Sequence, residues 1–389
     1  MDQGELLTLF PEMVEHRRYL HQNPELSFTE HNTSKFVKDQ LELLGLQVHS
    51  MEGSHGLWTT IVGDQAGPTV ALRADMDALE IQDQKVCDYA STVKGVMHAC
   101  GHDGHTATLL AIAKYFVKHQ ANLQGQVRLI FQPAEEIYPG GANAMIQAGV
   151  LDGVDVIYGV HLWTPIPIGI AQSAPGPLMA STDEFIITIL GKGGHGGMPH
   201  TTVDSIVVGA ALVMQLQSVV SRALDPLDPS VVTIGYFTGG TTQNVIAEES
   251  RLGGTVRCFD EDVRGAISQK VHLLAQHTAE AYGAKAHVQY TSGYPCLVNH
   301  ESEFNRFMKI AGNVSGLTGQ LCKPIMPAED FSYYLQHVPG CFVLVGAGNE
   351  EKGFTYPHHH PKFDFDEDAM LHAAALLISL TESYLQEHA

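Results

Sequence analysis

Val127-Arg-Leu-Ile-Phe-Gln132 runs straight into Pro133-Ala134-Glu135-Glu136. A short, β-rich apolar run that stops at a proline and two acids predicts a buried strand handing over to a polar loop. Three further runs, over 57–62, 69–73 and 156–161, read the same way, each flanked by Gly, Asp or Pro. Apolar residues at helical spacing accompany them: Leu6, Leu7, Phe10, Met13 and Val14 over 5–20, then Phe36, Val37, Leu41 and Leu44 over 30–44. Further helices are predicted over 103–118 and 142–148. This alternation predicts an α/β unit with a mainly parallel sheet flanked by helices. In such sheets ligands bind beyond the carboxyl ends of the strands.

The rhythm changes near residue 178. A strand over 183–190 ends in Gly191-Lys-Gly-Gly194, and a helix over 202–224 carries Ile206, Val213, Leu216, Val220 and Leu224 on one stripe. Strands at 231–237 and 252–259, a helix at 261–282 and a strand at 286–291 complete a β-α-β-β-α-β order, that of a ferredoxin-like α+β domain. The pattern of the first part then resumes, with helices at 303–313 and 329–336, a strand at 341–345 and a closing helix at 366–386. The predicted organisation is one discontinuous domain, 1–178 with 293–389, and one insertion, 179–292.

A chain of 389 residues suits two domains. With 44% apolar and 17% charged residues it can build large cores. A formal net charge of −21 argues against nucleic acid and anionic membrane surfaces as partners. No apolar run is read as approaching the roughly 20 residues of a bilayer span. Met1-Asp-Gln-Gly-Glu5 lacks the basic and apolar regions of a signal peptide, so a cytoplasmic protein is expected. The six cysteines, at 87, 100, 258, 296, 322 and 341, form no CxxC pair and no evident disulfide framework.

The chemistry concentrates in His98-Ala-Cys100-Gly-His102-Asp103-Gly-His105, a loop that opens a helix. A single histidine there reads better as a buried structural residue, with Asp103 as helix cap. The cluster reads as a metal site. Glu135 and Glu136 diverge as neighbours do, so that one can bind metal while the other handles a proton. His161 ends another apolar run, and Tyr356-Pro-His358-His359-His360-Pro361 is a triple histidine held between prolines. Asp77, in Arg73-Ala-Asp75-Met-Asp77, can accept a hydrogen bond from a liganding imidazole. Cys100, His102, Glu136, His161 and one of the triple histidines are mixed S, N and O donors, suiting Zn, Mn, Co or Ni better than Ca or Mg. Five donors exceed one tetrahedral site and suit two metal ions, which together activate water and polarise a carbonyl. Glu135 is then placed as general base.

These strings, with Arg73-Ala-Asp-Met-Asp-Ala-Leu79, Gly159-Val-His161 and His359-His-Pro-Lys-Phe-Asp364, resemble the M20 metallopeptidase superfamily from about His16 to Phe365. Within it the chain is most similar to the N-acyl-amino-acid amidohydrolases: aminoacylases, hippurate hydrolases and auxin-conjugate hydrolases. The resemblance implies Cys100 as a bridging ligand with His102, Glu136, His161 and His359, and Glu135 as the base. His359 matches by its spacing to Pro361 and Phe363. The larger domain would be catalytic, and 179–292 a lid that joins copies into a dimer or tetramer. His195, in Gly194-His-Gly-Gly-Met-Pro-His200, would reach the partner subunit's site and donate to the oxyanion, while Asn244 and Arg257 would hold the substrate carboxylate. Asp75 stands where the peptidase branches place a liganding histidine. Ala247 stands where relatives often carry proline.

The implied activity is metal-dependent hydrolysis of the amide bond of a small N-acyl amino acid. The alternatives are a dipeptidase or carboxypeptidase of the same superfamily, an enzyme using Cys100 as thiol nucleophile, and a non-catalytic binding protein.

Overall fold

From residue 69 to residue 75, every residue of the strand Gln65–Asp75 is buried. A strand without a solvent face belongs in the middle of a covered sheet, and the computed structural model, which describes residues 3–388, places it there. Met1 and Asp2, part of the stretch read as lacking a leader, lie outside the described residues. Among these, eight strands form the large sheet, in the order Val48–Ser50, Leu57–Val62, Gln124–Gln132, Gln65–Asp75, Val156–Pro167, Gly340–Gly348, Ile170–Ser173, Thr318–Leu321. The four central strands are mutually parallel. Helices Gln3–Gln22, His102–Lys118 and Asp368–His388 pack together, the last two against the sheet. Ile112, Phe116, Leu129, Val343 and Leu377 lie in the shared core.

The sheet departs from the sequence reading at its margins. Leu57–Val62 runs antiparallel to its neighbour Gln124–Gln132, outside any βαβ unit. Val48–Ser50, Ile170–Ser173 and Thr318–Leu321 were not anticipated. They are three or four residues long and add at or near the edges, where too few side chains are buried to leave a periodic signal. Val156–Pro167 continues past His161 instead of ending there. The helix expected over 329–336 contracts to Ser332–Leu335.

The chain divides into two compact units. The larger comprises the chain up to Leu178, Val298–Lys323 and the chain from Asp330 onward; the smaller comprises Met179–Leu297 and Pro324–Glu329. The return therefore falls at Leu297 instead of 292, and a second short segment joins the smaller unit. The Thr182 N–H donates to the Tyr294 carbonyl, and the Ala180 N–H lies 3.1 Å from the carbonyls of Ile325 and Pro327.

In the smaller unit four antiparallel strands lie in the order Ser230–Gly239, Glu249–Cys258, Ser181–Leu190, Lys285–Ser292, which is ferredoxin-like. Burial alternates along Ser181–Leu190, turning Phe185, Ile187 and Ile189 into a core with Leu212, Leu216 and Val271. The long helix is shorter than read. Asp204 caps it by accepting from the Ile206 and Val207 N–H groups, regular turns cover Ser205–Ser218, and a π-turn follows over Val219–Ala223. Ser205–Ala223 is also long and apolar enough to cross a membrane by length and composition alone, contrary to the sequence reading. Gln215, Gln217 and Ser218 interrupt its apolar run without lowering its average enough to disqualify it. Its buried residues Val208, Leu212 and Leu216 pack in the core of this unit.

Candidate metal centre

The site is assembled where the central strands end. Asp75 is the last residue of its strand, and Gln132 ends the strand before Pro133-Ala-Glu-Glu136. His161 lies beyond the last pairing between its strand and Gln65–Asp75, which is Arg73 with Gly159. Helix His102–Lys118 starts here. Its cap is Gly101 in a left-handed conformation (φ 93°), without a side-chain cap bond. Asp103 is therefore not the cap considered from the sequence. It lies in the first turn, buried, accepting from Arg17 Nε at 2.9 Å and 2.7 Å from His21 Nδ1.

All five residues expected as ligands come together. Cys100 Sγ is 3.3 Å from His161 Nε2. Glu136 Oε1 is 3.3 Å from His359 Nε2 and 3.8 Å from His102 Nε2. Ligand atoms of Cys100, Glu136 and His359 lie within 4.8 Å of one another, as do those of His102, Glu135 and Glu136. Each buried imidazole has its second nitrogen committed. His102 Nδ1 donates to the Asp77 carbonyl (3.0 Å) and Asp77 Oδ1 (3.2 Å), and His161 Nδ1 donates to the Leu162 carbonyl (3.0 Å). The lone pairs on Nε2 therefore face the cluster.

The triple histidine resolves into separate tasks. The His359 N–H donates to the Ala99 carbonyl, beside Cys100, and its φ of +63° turns the ring toward Glu136. His358 Nε2 accepts from the Thr164 N–H and its ring stacks on Trp163 at 4.3 Å. His360 Nδ1 accepts from the Lys362 N–H, and its ring stacks on Tyr356.

The electrostatics fit a cation. His102 Nε2 and Glu136 Oε1 are buried with no hydrogen-bond partner, an expensive state unless something fills the gap. Burial works against charge on His102, but Asp75, Asp77 and Glu136 outweigh it and raise its pKa to about 10. The same carboxylates favour any cation at Nε2, and a metal ion binding there would displace this proton and use the lone pair. Burial, with Glu136, Glu135 and Asp75 beside it, pushes the Cys100 thiol well above its usual range. A thiolate forms there only against a compensating positive charge. Beneath the cluster, Asp75 is fully engaged: it accepts from Arg73 Nη1 (2.7 Å) and His105 Nδ1 (2.6 Å). His105 Nε2 in turn accepts from the Leu162 N–H at 2.9 Å, fixing the backbone after His161.

His195, Asn244 and Arg257 belong to the smaller unit. His195 pairs with Val245, and the Gly196 N–H donates to the Asn244 carbonyl at 2.8 Å, so the two predicted residues are neighbours on an exposed two-stranded ribbon. Arg257 is not with them. It pairs with Thr182 near the far end of Glu249–Cys258, half-buried, with Nη1 3.5 Å from the Val256 carbonyl. The sequence reading missed Ser27, Glu30 and Arg17, which reach the site's supports from the N-terminal segment. For Ser27 and Glu30 the only signal was two hydroxyls and two acids in Pro24-Glu-Leu-Ser-Phe-Thr-Glu30, with no strand end to mark them.

A thiol, three imidazoles and a carboxylate gathered at the carboxyl ends of a parallel sheet define a metal-dependent hydrolase. The chain belongs to peptidase family M20/M25/M40, whose model matches residues 71–383. It is 46% identical over 290 residues to an N-acyl-L-amino acid amidohydrolase of Geobacillus stearothermophilus, covering 75% of this chain and 78% of that protein. It is 41% identical over 364 residues to thermostable carboxypeptidase 2 of Saccharolobus solfataricus, covering 92% and 91%. Among solved structures it is similar to Bacillus subtilis YXEP, described as a dinuclear metal binding peptidase of the M20 family, with a TM-score of 0.85, 35% identity and coverage of 97% and 99%.

Proposed function

We propose that the chain hydrolyses the amide bond of N-acyl amino acids, releasing a carboxylate and a free amino acid. The observation that carries this is the S, N and O donor cluster, with Cys100, His102 and His161 buried and a second buried carboxylate, Glu135, against it. Cys100, His102, Glu136, His161 and His359 would hold two divalent ions, with Zn, Mn, Co or Ni suited to the donors. Bound there, such ions supply Lewis acidity and make water acidic enough to ionise near neutral pH. Glu135 takes the proton of the attacking water and returns it to the leaving amine. Asn244 holds the substrate carboxylate and its neighbour His195 donates to the oxyanion; Arg257, near the other end of its strand, is not assigned to that same carboxylate.

A peptidase activity is the second reading, favoured by the carboxypeptidase relative. The commitment of Asp75 to Arg73 and His105 supports the amidohydrolase, because the position where peptidase branches place a ligand is spent here on structure. Purified protein assayed with N-acetyl and N-benzoyl amino acids beside dipeptides decides between them. The expected kcat/KM is at least about tenfold higher on the acyl substrates, and equal or faster dipeptide cleavage reverses the assignment.

The role of His195 is tested by mixing. His195→Ala and Glu135→Gln proteins, each impaired alone, are expected to regain about a quarter of the wild-type rate after subunit exchange, because half of the dimers then carry one complete site. No recovery places His195 outside the partner's site.

A further inference from the structure

The geometry points to Glu30 as the residue that positions Glu135. Glu30 is fully buried, and its Oε1 accepts the Ala134 N–H at 2.8 Å. Ala134 immediately precedes Glu135 and has a φ of +54°. An L-residue with a side chain resists this left-handed conformation. Among the described residues only Phe28, Ala134 and His359 are non-glycine residues with positive φ. Phe28 lies two residues before Glu30, and His359 is a candidate ligand. Strain of this kind persists where surrounding contacts over-determine it.

The other side of Glu135 is anchored in the same way. The Glu136 N–H donates to Asp77 Oδ2 at 3.0 Å, and that oxygen also accepts from Ser27 Oγ at 2.7 Å. The peptide N–H groups on both sides of Glu135 are thus held by buried carboxylates, and the loop carrying Ser27 and Glu30 reaches both anchors. Burial is costly for Glu30 and, with Asp77 nearby, pushes its pKa up to about 7. Its Oε2 has no hydrogen-bond partner. A costly carboxylate spent on one backbone N–H beside a strained residue is the pattern of a constraint kept for function.

This inference rests on Glu135 being the general base. Glu30→Met keeps the length of the side chain and removes the acceptor; Glu30→Gln keeps an acceptor oxygen. In Glu30→Met the expected kcat falls about 10- to 100-fold, the scale of a misplaced catalytic group, with KM and metal content close to wild type. Glu30→Gln stays within about threefold of wild type, because an amide oxygen can hold the same N–H. Adding Ala134→Gly to Glu30→Met recovers about tenfold, since glycine adopts positive φ without strain. Equal kcat in the two Glu30 variants, or a loss confined to KM or metal content, overturns the assignment. If Glu30→Met does not fold, Glu30→Asp, which withdraws the acceptor by one methylene, decides: a kcat drop of about fivefold or more supports the role and wild-type kcat overturns it. An inactive Glu135→Gln with a fully active Glu30→Met sinks the Glu30 assignment alone. An active Glu135→Gln removes the base, and with it the reason for positioning.

Discussion

Replacing Glu135 by Gln is expected to lower kcat by about 10²- to 10⁴-fold, the usual worth of a positioned general base. Gln has the same shape and fills the same buried space, but it cannot take a proton at neutral pH. Glu135 lies three residues past the end of strand Gln124–Gln132, one residue after the strained Ala134 and one before Glu136, with the N–H groups of both neighbours held by buried carboxylates. The substitution should therefore leave the backbone in place and the five candidate ligands untouched. Metal content, circular dichroism and the thermal unfolding midpoint are expected to match wild type, with the loss in kcat at similar KM. Such a split assigns Glu135 to the transition state. Turnover within tenfold of wild type would remove the base from the proposed scheme.

Stripping metal with a chelator should abolish activity and lower thermal stability together, and adding back Zn, Mn, Co or Ni singly should restore both. Loss of stability is expected because the cluster without a cation gathers Glu135, Glu136 and Asp75 around a buried thiol, with His102 Nε2 and Glu136 Oε1 lacking hydrogen-bond partners. Binding to the folded state alone stabilises by RT ln(1 + [L]/Kd), about 4 kcal/mol at a thousandfold excess over Kd. The same experiment separates the metal site from a thiol mechanism. A nucleophilic cysteine needs a lowered pKa, whereas burial and three nearby carboxylates push Cys100 upward. Full activity in chelator, abolished by alkylating Cys100, would restore the thiol reading.

The candidate ligands were visible before the fold because their residue types are scarce and their positions follow apolar runs. His161 and the Glu135-Glu136 pair each adjoin a run whose composition marks a strand. The supports were hidden for the opposite reason. Glu30, Ser27 and Arg17 are ordinary residues in a helix and a loop. Their meaning arises only from contacts across long stretches of chain: Glu30 with Ala134, Ser27 with Asp77, Arg17 with Asp103 and Asp364. Asp103 shows the difference within one motif. The sequence allows it to cap the helix, but folding buries it against Arg17 and leaves Gly101 as the cap.

The βαβ rhythm, the ferredoxin-like insertion and the candidate ligand residues were legible in the sequence alone, because periodicity and residue chemistry are local properties. The antiparallel direction of Leu57–Val62, the return of the chain at Leu297 and the short edge strands were decided only by tertiary pairing. So were the separate contacts of the three adjacent histidines, of which spacing had already singled out His359. His358 and His360 accept backbone N–H groups and stack on aromatic rings, while a positive φ turns His359 to Glu136. The partners of His358 and His359 lie far along the chain, at Thr164, Trp163 and Glu136, where a local pattern cannot register them.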